Sequence, residues 1–233
     1  MAADEAIVLV GGLGTRLRPV LTEVPKPLAP VAGRPFLAWV LDRLADQRIN
    51  HVVLATGHLA AQVEAAIGHA WKHMRVSYSV ETQPLGTGGA IRLARPLLAG
   101  GGVHVLNGDT YLRYDLDRLS GLIDSGAADL AMALAQVPDA ARYGAVQCTG
   151  DSVSAFLEKG TIGPGMINAG CYFIGPVALS ALPAKEVFSF ETDVLAPMVA
   201  AGRVRAETRT DGFIDIGIPE DYRRAQAMFG QAQ

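Results

Sequence analysis

Residues 6–17 read AIVLVGGLGTRL, and this stretch decides the interpretation of the fold. The five apolar residues 6–10 predict a buried strand, because strands covered on both faces of a parallel sheet are continuous apolar runs. Glycines at 11, 12 and 14 end the run and predict a turn in which the backbone can approach a ligand closely. Taken alone, the turn is equally consistent with an ordinary connection between a strand and a helix.

The same alternation of apolar strands and helical patterns continues to about residue 137. Strands are predicted at 51–56, 75–80, 103–106 and 130–137, and helices at 35–44, 59–67, 88–98 and 116–123. This order predicts right-handed crossovers and a mostly parallel, Rossmann-like α/β sheet that is flanked by helices. The sequence therefore predicts a nucleotide-binding type of architecture, with ligands at the carboxyl ends of the strands.

The chain changes character after residue 137. Short strands are predicted at 146, 153–157, 167–174 and 204–207, and two helices near 192–201 and 219–229. These segments predict small antiparallel additions that contribute substrate contacts. We expect a single domain over residues 1–233, with a first part to about residue 137 and a second part from about residue 138.

Composition excludes several classes of protein. Twenty basic and 23 acidic residues give a net charge of −3, which disfavours a general nucleic-acid binder. The two cysteines, Cys148 and Cys171, cannot form a disulfide framework or a zinc site by themselves. No apolar run is long enough to span a membrane, and the N-terminus lacks the basic segment of a signal peptide. We therefore expect a cytoplasmic protein without a membrane or nucleic-acid partner.

Two cations follow the first glycine turn. Arg16 offers a planar fork to phosphate oxygens, whereas Lys26 offers a compact charge between Pro25 and Pro27, which stiffen the backbone. The alternative is that both are solvated side chains of a surface loop. Their position beside the glycines favours a site for an anion.

A second glycine-rich turn, residues 81–90 (ETQPLGTGGA), follows the third predicted strand. Such a turn suits a planar base or a ribose that lies close to the backbone. The Glu81 carboxylate can accept hydrogen bonds from N1–H and N2–H of guanine. Uracil also has an N–H donor, so the preference for guanine is mild, and an exposed loop acid is the alternative.

Two acidic residues stand where a metal would be useful. Asp109 follows Asn107 and Gly108 at the end of the fourth predicted strand, and Asp215 lies between apolar residues before the last helix. Mg²⁺ binds through one or two carboxylates together with substrate phosphates. Asp215 is alternatively a helix cap, but cations and carboxylates that meet in one cleft are typical of phosphoryl transfer.

Taken in order, these motifs resemble the sugar-nucleotidyltransferases, which join a nucleoside triphosphate to a sugar 1-phosphate. The resemblance covers nearly the whole chain and rests on residues 11–17, 25–27, 84–89, 107–109, 143–144, 158–159, 168–170 and 215–217. Residues 142–144, 188–191 and 215–222 are similar to the branch of that family that uses heptose 1-phosphates. Leu21 stands where many relatives have a threonine, which bears on the subgroup rather than on the activity.

The resemblance implies roles for the charged residues. Arg16 would bind the β- and γ-phosphates, Lys26 would bridge the α-phosphate and the attacking phosphate, and Asp109 and Asp215 would hold Mg²⁺. The nucleotide-binding residues would be Leu9, Gly11, Gly12, Gly14, Thr15, Glu81, Pro84, Gly86, Thr87 and Gly88.

The second part of the chain would then bind the sugar phosphate. The implied residues are Asn107, Tyr143, Gly144, Glu158, Lys159 and Asn168. Glu158 would contact sugar hydroxyls and Lys159 the phosphate. Without the resemblance, these residues read as a turn, an exposed ion pair and a loop hydrogen-bonder, because polar loop residues are usually ordinary.

The expected reaction joins GTP and D-glycero-α-D-manno-heptose 1-phosphate to GDP-heptose and pyrophosphate, for a surface polysaccharide. A hexose 1-phosphate (mannose or glucose type) or N-acetylmuramic acid 1-phosphate with another nucleotide is the alternative within the class. An NAD(P)-dependent oxidoreductase is disfavoured, because residues 55–58 (ATGH) lack an acid for the ribose. A non-catalytic sugar-nucleotide sensor is disfavoured by the presence of Arg16, Lys26 and Asp109. The sequence leaves the oligomeric state open.

Overall fold

The computed structural model describes residues 3–11, 24–123, 126–158, 160 and 162–230. The sequence-predicted site residues outside these ranges are Gly12, Gly14, Thr15, Arg16 and Lys159. Their proposed roles stay predictions.

The secondary structure follows the predicted alternation. The strands are β1 (Glu5–Leu9), β2 (Pro30–Val31), β3 (Arg34–Pro35), β4 (His51–Thr56), β5 (Ala70–Trp71), β6 (Met74–Val80), β7 (Val103–Asn107), β8 (Thr110–Arg113), β9 (Leu130–Val137), β10 (Val146–Thr149), β11 (Ser152–Phe156), β12 (Gly165–Ile174), β13 (Val204–Glu207) and β14 (Asp211–Asp215). The helices are α1 (Phe36–Asp46), α2 (Ala60–Ile67), α3 (Gly86–Ala94), α4 (Leu116–Gly121), α5 (Pro176–Ser180), α6 (Ala196–Ala200) and α7 (Pro219–Gly230).

One large sheet organises the molecule. Within the described ranges it has ten strands in the order β10-β11-β13-β9-β12-β7-β1-β4-β6-β5. β1 pairs in parallel with β4 and with β7, and β4 pairs in parallel with β6. β12 lies antiparallel to both β7 and β9, so the second part of the chain extends the same sheet. The predicted α/β class, with antiparallel additions, is confirmed, whereas the division near residue 137 stays a prediction.

The sheet is covered on both faces, as the apolar run of β1 predicted. Ala6 and Val8 point into the core under α1, together with Phe36, whereas Ile7 points into the opposite core with Ile91 of α3. All five residues are fully buried. Burial on both faces is the physical reason that this strand tolerates no polar alternation.

Two helices differ from their predicted bounds near prolines. The helix predicted at 88–98 ends at Ala94 and tightens into the 3₁₀ turn Arg95–Leu97, where Pro96 lacks the N–H that a further α-helical turn needs. The helix predicted near 192–201 begins as the π-helical turn Glu191–Leu195 before α6. The prolines were visible in the sequence, but the 3₁₀ and π-helical turns beside them could not be predicted from it. None of the helices in the described ranges has the length and apolar character that crossing a bilayer requires.

His104 in β7 predicts a pH dependence of stability. The side chain is fully buried, and this burial, with a smaller contribution from the charge of Arg43, lowers the pKa of His104 from 6.5 to about 3. The unfolded chain therefore takes up a proton first, and stability is lost as the pH falls from about 6.5 towards 3, by about 1.4 kcal/mol per pH unit. We expect His104→Leu to remove this part of the slope when urea unfolding is measured between pH 7 and pH 5. An unchanged slope would contradict the assignment.

Candidate active site

Asp109, the first acidic residue of the site, follows the junction where the ends of the paired strands β7 and β1 lie side by side. Leu9 is in register with Asn107, and the Gly108 amide donates to the Leu9 carbonyl at 2.8 Å. A Cβ atom on Gly108 would lie 2.6 Å from Val10 Cγ1, so only glycine permits this close approach. The tight junction fixes Asp109 beside the carboxyl end of β1.

The β8–β14 ribbon brings the second acidic residue to the first. Asp215 is in register with Thr110, and the Ile216 amide donates to the Asp109 carbonyl at 3.0 Å. The Gly217 amide donates to Asp215 Oδ1 at 2.7 Å and orients that carboxylate. Asp109 and Asp215 therefore meet at one edge of the sheet, as the sequence predicted.

Lys26 completes this cluster. It begins the 3₁₀ turn Lys26–Leu28, and the prolines on both sides of it are buried, so the backbone frame is fixed. Its Nζ contacts Asp109 Oδ2 directly and lies 3.7 Å from Asp215 Oδ1, and the side chain is only 14% exposed. The predicted meeting of a cation with the two carboxylates is observed for Lys26. Arg16 lies outside the described residues.

The two carboxylates repel each other. Burial, and then the negative charge of Asp109, raise the pKa of Asp215, while Lys26, the Gly217 amide and Arg142 act in the opposite direction. A cation at this point is therefore stabilising, and the Lys26 ammonium provides one.

The residues present fit Mg²⁺. In the described ranges no group of three or more histidine, cysteine or acidic side chains forms a metal cage. Mg²⁺ is usually held by one or two carboxylates and completes its shell with water and substrate phosphates. Asp109 and Asp215 are the side chains that would hold it.

A cavity of about 580 Å³ opens at the ends of β1, β4 and β6. It is lined by Leu9, Gly11, Ala55, Gly57, His58, Glu81, Thr82, Gln83, Pro84, Gly86, Thr87 and Ala90. Six of these residues belong to the predicted nucleotide-binding set. The sequence did not lead us to assign the residues that follow β4 to the cavity. Segment 55–58 was used only as an argument against a dinucleotide-binding site. These residues could have been predicted, because β4 is a predicted strand of the parallel sheet and its carboxyl end lies at the same edge as that of β1.

Glu81 is held inside this cavity. The Leu85 amide donates to its Oε2 at 3.2 Å, and its own amide donates to the Thr56 carbonyl at 2.8 Å. A Cβ atom on Gly57 would lie 2.7 Å from Glu81 Oε1, and one on Gly11 would lie 3.2 Å from the same atom. The two glycines therefore leave the space that the carboxylate occupies.

The first turn of α3 packs against the second part of the chain. A Cβ atom on Gly88 would lie 2.2 Å from the Phe188 ring, and the Gly88 amide donates to the Phe188 carbonyl at 3.1 Å. The Thr87 hydroxyl donates to Glu191 at 2.7 Å and accepts from the Phe190 amide at 2.9 Å. Packing alone accounts for the glycine at 88, and its predicted contact with the nucleotide stays a prediction. Residues 188–191 support the cavity from outside.

We expect Gly57→Ala to act on the cavity rather than on the fold. The new methyl group would meet side-chain atoms of Glu81, 2.7 Å from Oε1 and 2.9 Å from Cγ, and this side chain can rotate away, so the free energy of unfolding in urea should change by less than about 1 kcal/mol. The displaced carboxylate should raise KM for GTP, the nucleotide that the resemblance implies, roughly tenfold, which is the effect of one lost hydrogen bond to a charged group. Glu81→Gln is the matched variant, and we expect it to narrow the ratio of kcat/KM for GTP over UTP. Equal ratios for wild type and Glu81→Gln would remove Glu81 from base selection.

Asn107 and Asn168 lie near the β12 bulge. Asn168 Nδ2 donates to the Tyr172 hydroxyl at 2.8 Å, and its Oδ1 accepts from the Gly170 amide at 2.9 Å. Gly170 has φ +67°, and a Cβ atom there would lie 2.2 Å from Asn107 Nδ2. Asn168 thus orders the bulge, and the sugar-phosphate contacts expected of Asn107 and Asn168 stay predictions.

Tyr143 and Gly144 lie on a turn whose two amides each donate to the Ala140 carbonyl at 3.0 Å. The Tyr143 ring meets Phe213 edge-on at 5.6 Å, which places it beside the strand that ends at Asp215. Glu158 is exposed beyond the end of β11. Tyr143 therefore lies beside the strand that carries Asp215, whereas Glu158 lies on the surface, and the sugar contacts expected of both residues stay predictions.

The chain is similar in sequence to known nucleotidyltransferases. The family model described as nucleotidyl transferase matches residues 5–231. D-glycero-alpha-D-manno-heptose 1-phosphate guanylyltransferase of Aneurinibacillus thermoaerophilus is 40% identical over 95% of this chain and 96% of its own length. The protein of the same name from Campylobacter jejuni is 36% identical over 94% of this chain and 96% of its length.

A solved structure has the same fold. HddC from Yersinia pseudotuberculosis complexed with GMP-PN superposes with a TM-score of 0.85 at 34% identity, covering 97% of this chain and 99% of the other. The resemblance that the motifs carried is confirmed. This chain belongs to the nucleotidyl transferase family.

Proposed function

We propose that the protein transfers the guanylyl group of GTP to a heptose 1-phosphate, giving GDP-heptose and pyrophosphate. The observation that carries the proposal is the meeting of Lys26, Asp109 and Asp215 at the sheet edge that also holds the Glu81 cavity. A base cavity beside a cluster of opposite charges suits a nucleotide whose phosphates react. The heptose is supported by two full-length relatives that carry that substrate in their names.

The proposed reaction needs no covalent intermediate on the protein. An oxygen of the sugar 1-phosphate forms a bond to the α-phosphorus, and the bond from that phosphorus to the pyrophosphate oxygen breaks in line. The attacking phosphate is already ionised near neutral pH, so no general base is required. The main barrier is the approach of two anions, and positioned cations lower it.

The chain's own residues divide this task. Asp109 and Asp215 would hold Mg²⁺, which supplies positive charge to the nucleotide phosphates when it is bound. With the two carboxylates so engaged, the Lys26 ammonium is available to the α-phosphate and the attacking phosphate. Arg16 would stabilise the departing pyrophosphate, as the resemblance implies. Glu81 would accept the N–H donors of the base.

We also propose that the enzyme acts in the cytoplasm and that its product serves a surface polysaccharide. Both substrates are phosphorylated metabolites, which supports the compartment. A hexose 1-phosphate remains the second candidate, because a hexose and a heptose differ by a single carbon with its hydroxyl group.

The proposal is tested by pyrophosphate release with ATP, CTP, GTP and UTP against the 1-phosphates of the heptose, mannose and glucose, with and without Mg²⁺. We expect the highest kcat/KM for GTP with the heptose, and only with Mg²⁺. The variant Lys26→Ala serves as the low-turnover control. If GTP is no better than UTP with every sugar, the base assignment fails; if mannose 1-phosphate is preferred, the sugar assignment fails.

A further inference from the structure

Arg142 connects three segments at the carboxylate cluster. Its Nη2 contacts Asp221 Oδ2 at the start of α7 and lies 3.9 Å from Asp215 Oδ2 at the end of β14. The guanidinium carbon lies 4.4 Å from the centre of the Tyr143 ring, and Nη2 also contacts the Tyr143 hydroxyl. Lys26 and Arg142 therefore stand at different oxygens of the same Asp215 carboxylate.

Asp221 holds this guanidinium in place. The Asp221 side chain is only 6% exposed, and Arg224 Nη1 lies 3.2 Å from its other oxygen. Removing a partner from a buried carboxylate costs a large amount of free energy, because it leaves an uncompensated buried charge. Asp221 therefore keeps the cations that it binds in fixed positions. Arg142 nevertheless stays 37% exposed, and a guanidinium has five N–H donors. The side chain is fixed at one edge and accessible at another.

The position of Arg142 relative to the base cavity is set by the sheet. The cavity lies at the ends of β1, β4 and β6, whereas the loop that holds Arg142 continues to Ala145, which bridges to Ile167 of β12. β12 neighbours β7 on the side away from β1. Arg142 thus lies across the Asp109–Asp215 pair from the base cavity. A second substrate must approach the α-phosphate from outside that cavity, and Arg142, which is 37% exposed, lies on that side.

We propose that Arg142 binds the phosphate of the sugar 1-phosphate and that Asp221 is its positioning residue. The inference rests on the proposed function and adds to it a second-substrate contact. A guanidinium fork binds phosphate oxygens in two parallel hydrogen bonds, which fixes the orientation of the phosphate as well as its charge. The Tyr143 ring beneath the fork limits its rotation.

The test compares Arg142→Gln with Arg224→Gln. Both arginines contact Asp221, but Arg224 is 57% exposed and lies on the helix, so it serves as the matched control. For Arg142→Gln we expect KM for the sugar 1-phosphate to rise roughly 10- to 100-fold, the loss of hydrogen bonds to a charged group. For the same variant, KM for GTP and the dissociation constant of GTP from calorimetry should stay within about threefold of the wild-type values. For Arg224→Gln, all of these quantities, including KM for the sugar 1-phosphate, should stay within about threefold of the wild-type values.

Two further variants separate binding from folding. Arg142→Lys keeps the charge but loses the fork, so we expect an intermediate KM for the sugar 1-phosphate. Asp221→Asn should raise the same KM without changing KM for GTP, because it frees the guanidinium rather than removing it. If Arg142→Gln raises both KM values equally, or lowers only the melting temperature, Arg142 is a structural contact and the inference is wrong.

A failure of the proposed function gives a different result. In that case the wild type shows no turnover with any pair of nucleotide and sugar 1-phosphate. Calorimetric titration with heptose 1-phosphate then decides the inference separately. Binding by the wild type that Arg142→Gln lacks supports Arg142, whereas equal binding or none by both overturns it.

Discussion

Lys26→Ala is expected to reduce kcat roughly 100- to 1,000-fold, the effect of one preorganised electrostatic contact in a partly dry site. The side chain is 14% exposed and is the cation that meets both Asp109 and Asp215. Its loss also removes the counter-charge that these two repelling carboxylates share, and leaves Asp215 with Arg142 at 3.9 Å. We therefore expect a lower melting temperature without Mg²⁺, and a larger rise on addition of Mg²⁺ than the wild type shows.

The matched control for this prediction is Lys72→Ala. Lys72 is 45% exposed and pairs with Asp46 at 2.9 Å and Asp42 at 3.2 Å, away from the site. Steady-state turnover and thermal melts with and without Mg²⁺ measure both effects. If Lys26→Ala and Lys72→Ala have equal turnover, Lys26 does not bridge the two phosphates.

Asp109→Asn is expected to abolish most of the Mg²⁺-dependent turnover, by roughly 1,000-fold, because a neutral amide is a weak ligand for a hard cation. Asparagine keeps the shape of the side chain, so the β7–β1 junction should remain. The Mg²⁺ concentration at half-maximal rate should rise as well. The rate measured against Mg²⁺ concentration, with saturating GTP and sugar 1-phosphate, gives both quantities.

Asp211→Asn is the control for this second prediction. Asp211 belongs to the same ribbon as Asp215 but stands at its other end, where it is 69% exposed and pairs with Arg113. It should keep wild-type turnover. Near-normal Mg²⁺-dependent turnover of Asp109→Asn would show that the metal assignment is wrong.

Much of the fold was predictable because burial on both faces imposes a continuous apolar pattern. β4 and β9 have the predicted bounds, His51–Thr56 and Leu130–Val137, and every residue of β4 is buried. The β8–β14 ribbon was not predicted as a pair. Its register joins Thr110 to Asp215, and such a distant pairing leaves no local periodicity in the sequence.

The site was predictable where chemistry and strand ends coincide. Lys26, Asp109 and Asp215 each belong to a motif. The parallel sheet explains why Asp109, which follows β7, lies beside the end of β1, whereas the antiparallel β8–β14 ribbon brings Asp215 there. The contact of Arg142 with Asp221 was not predictable, because it depends on how α7 packs beside the loop before β10. The sequence explained the glycine at 88 by the close approach of a ligand, and only the structure shows that the Phe188 ring fills the space beside it.

The ammonium between the two carboxylates has a consequence for physiology. It acts as an internal counterion and offsets one of the two negative charges, so part of their repulsion is relieved before any metal binds. We therefore expect magnesium starvation to leave an intact but idle pool of enzyme, which resumes synthesis as soon as the ion returns and needs no new translation.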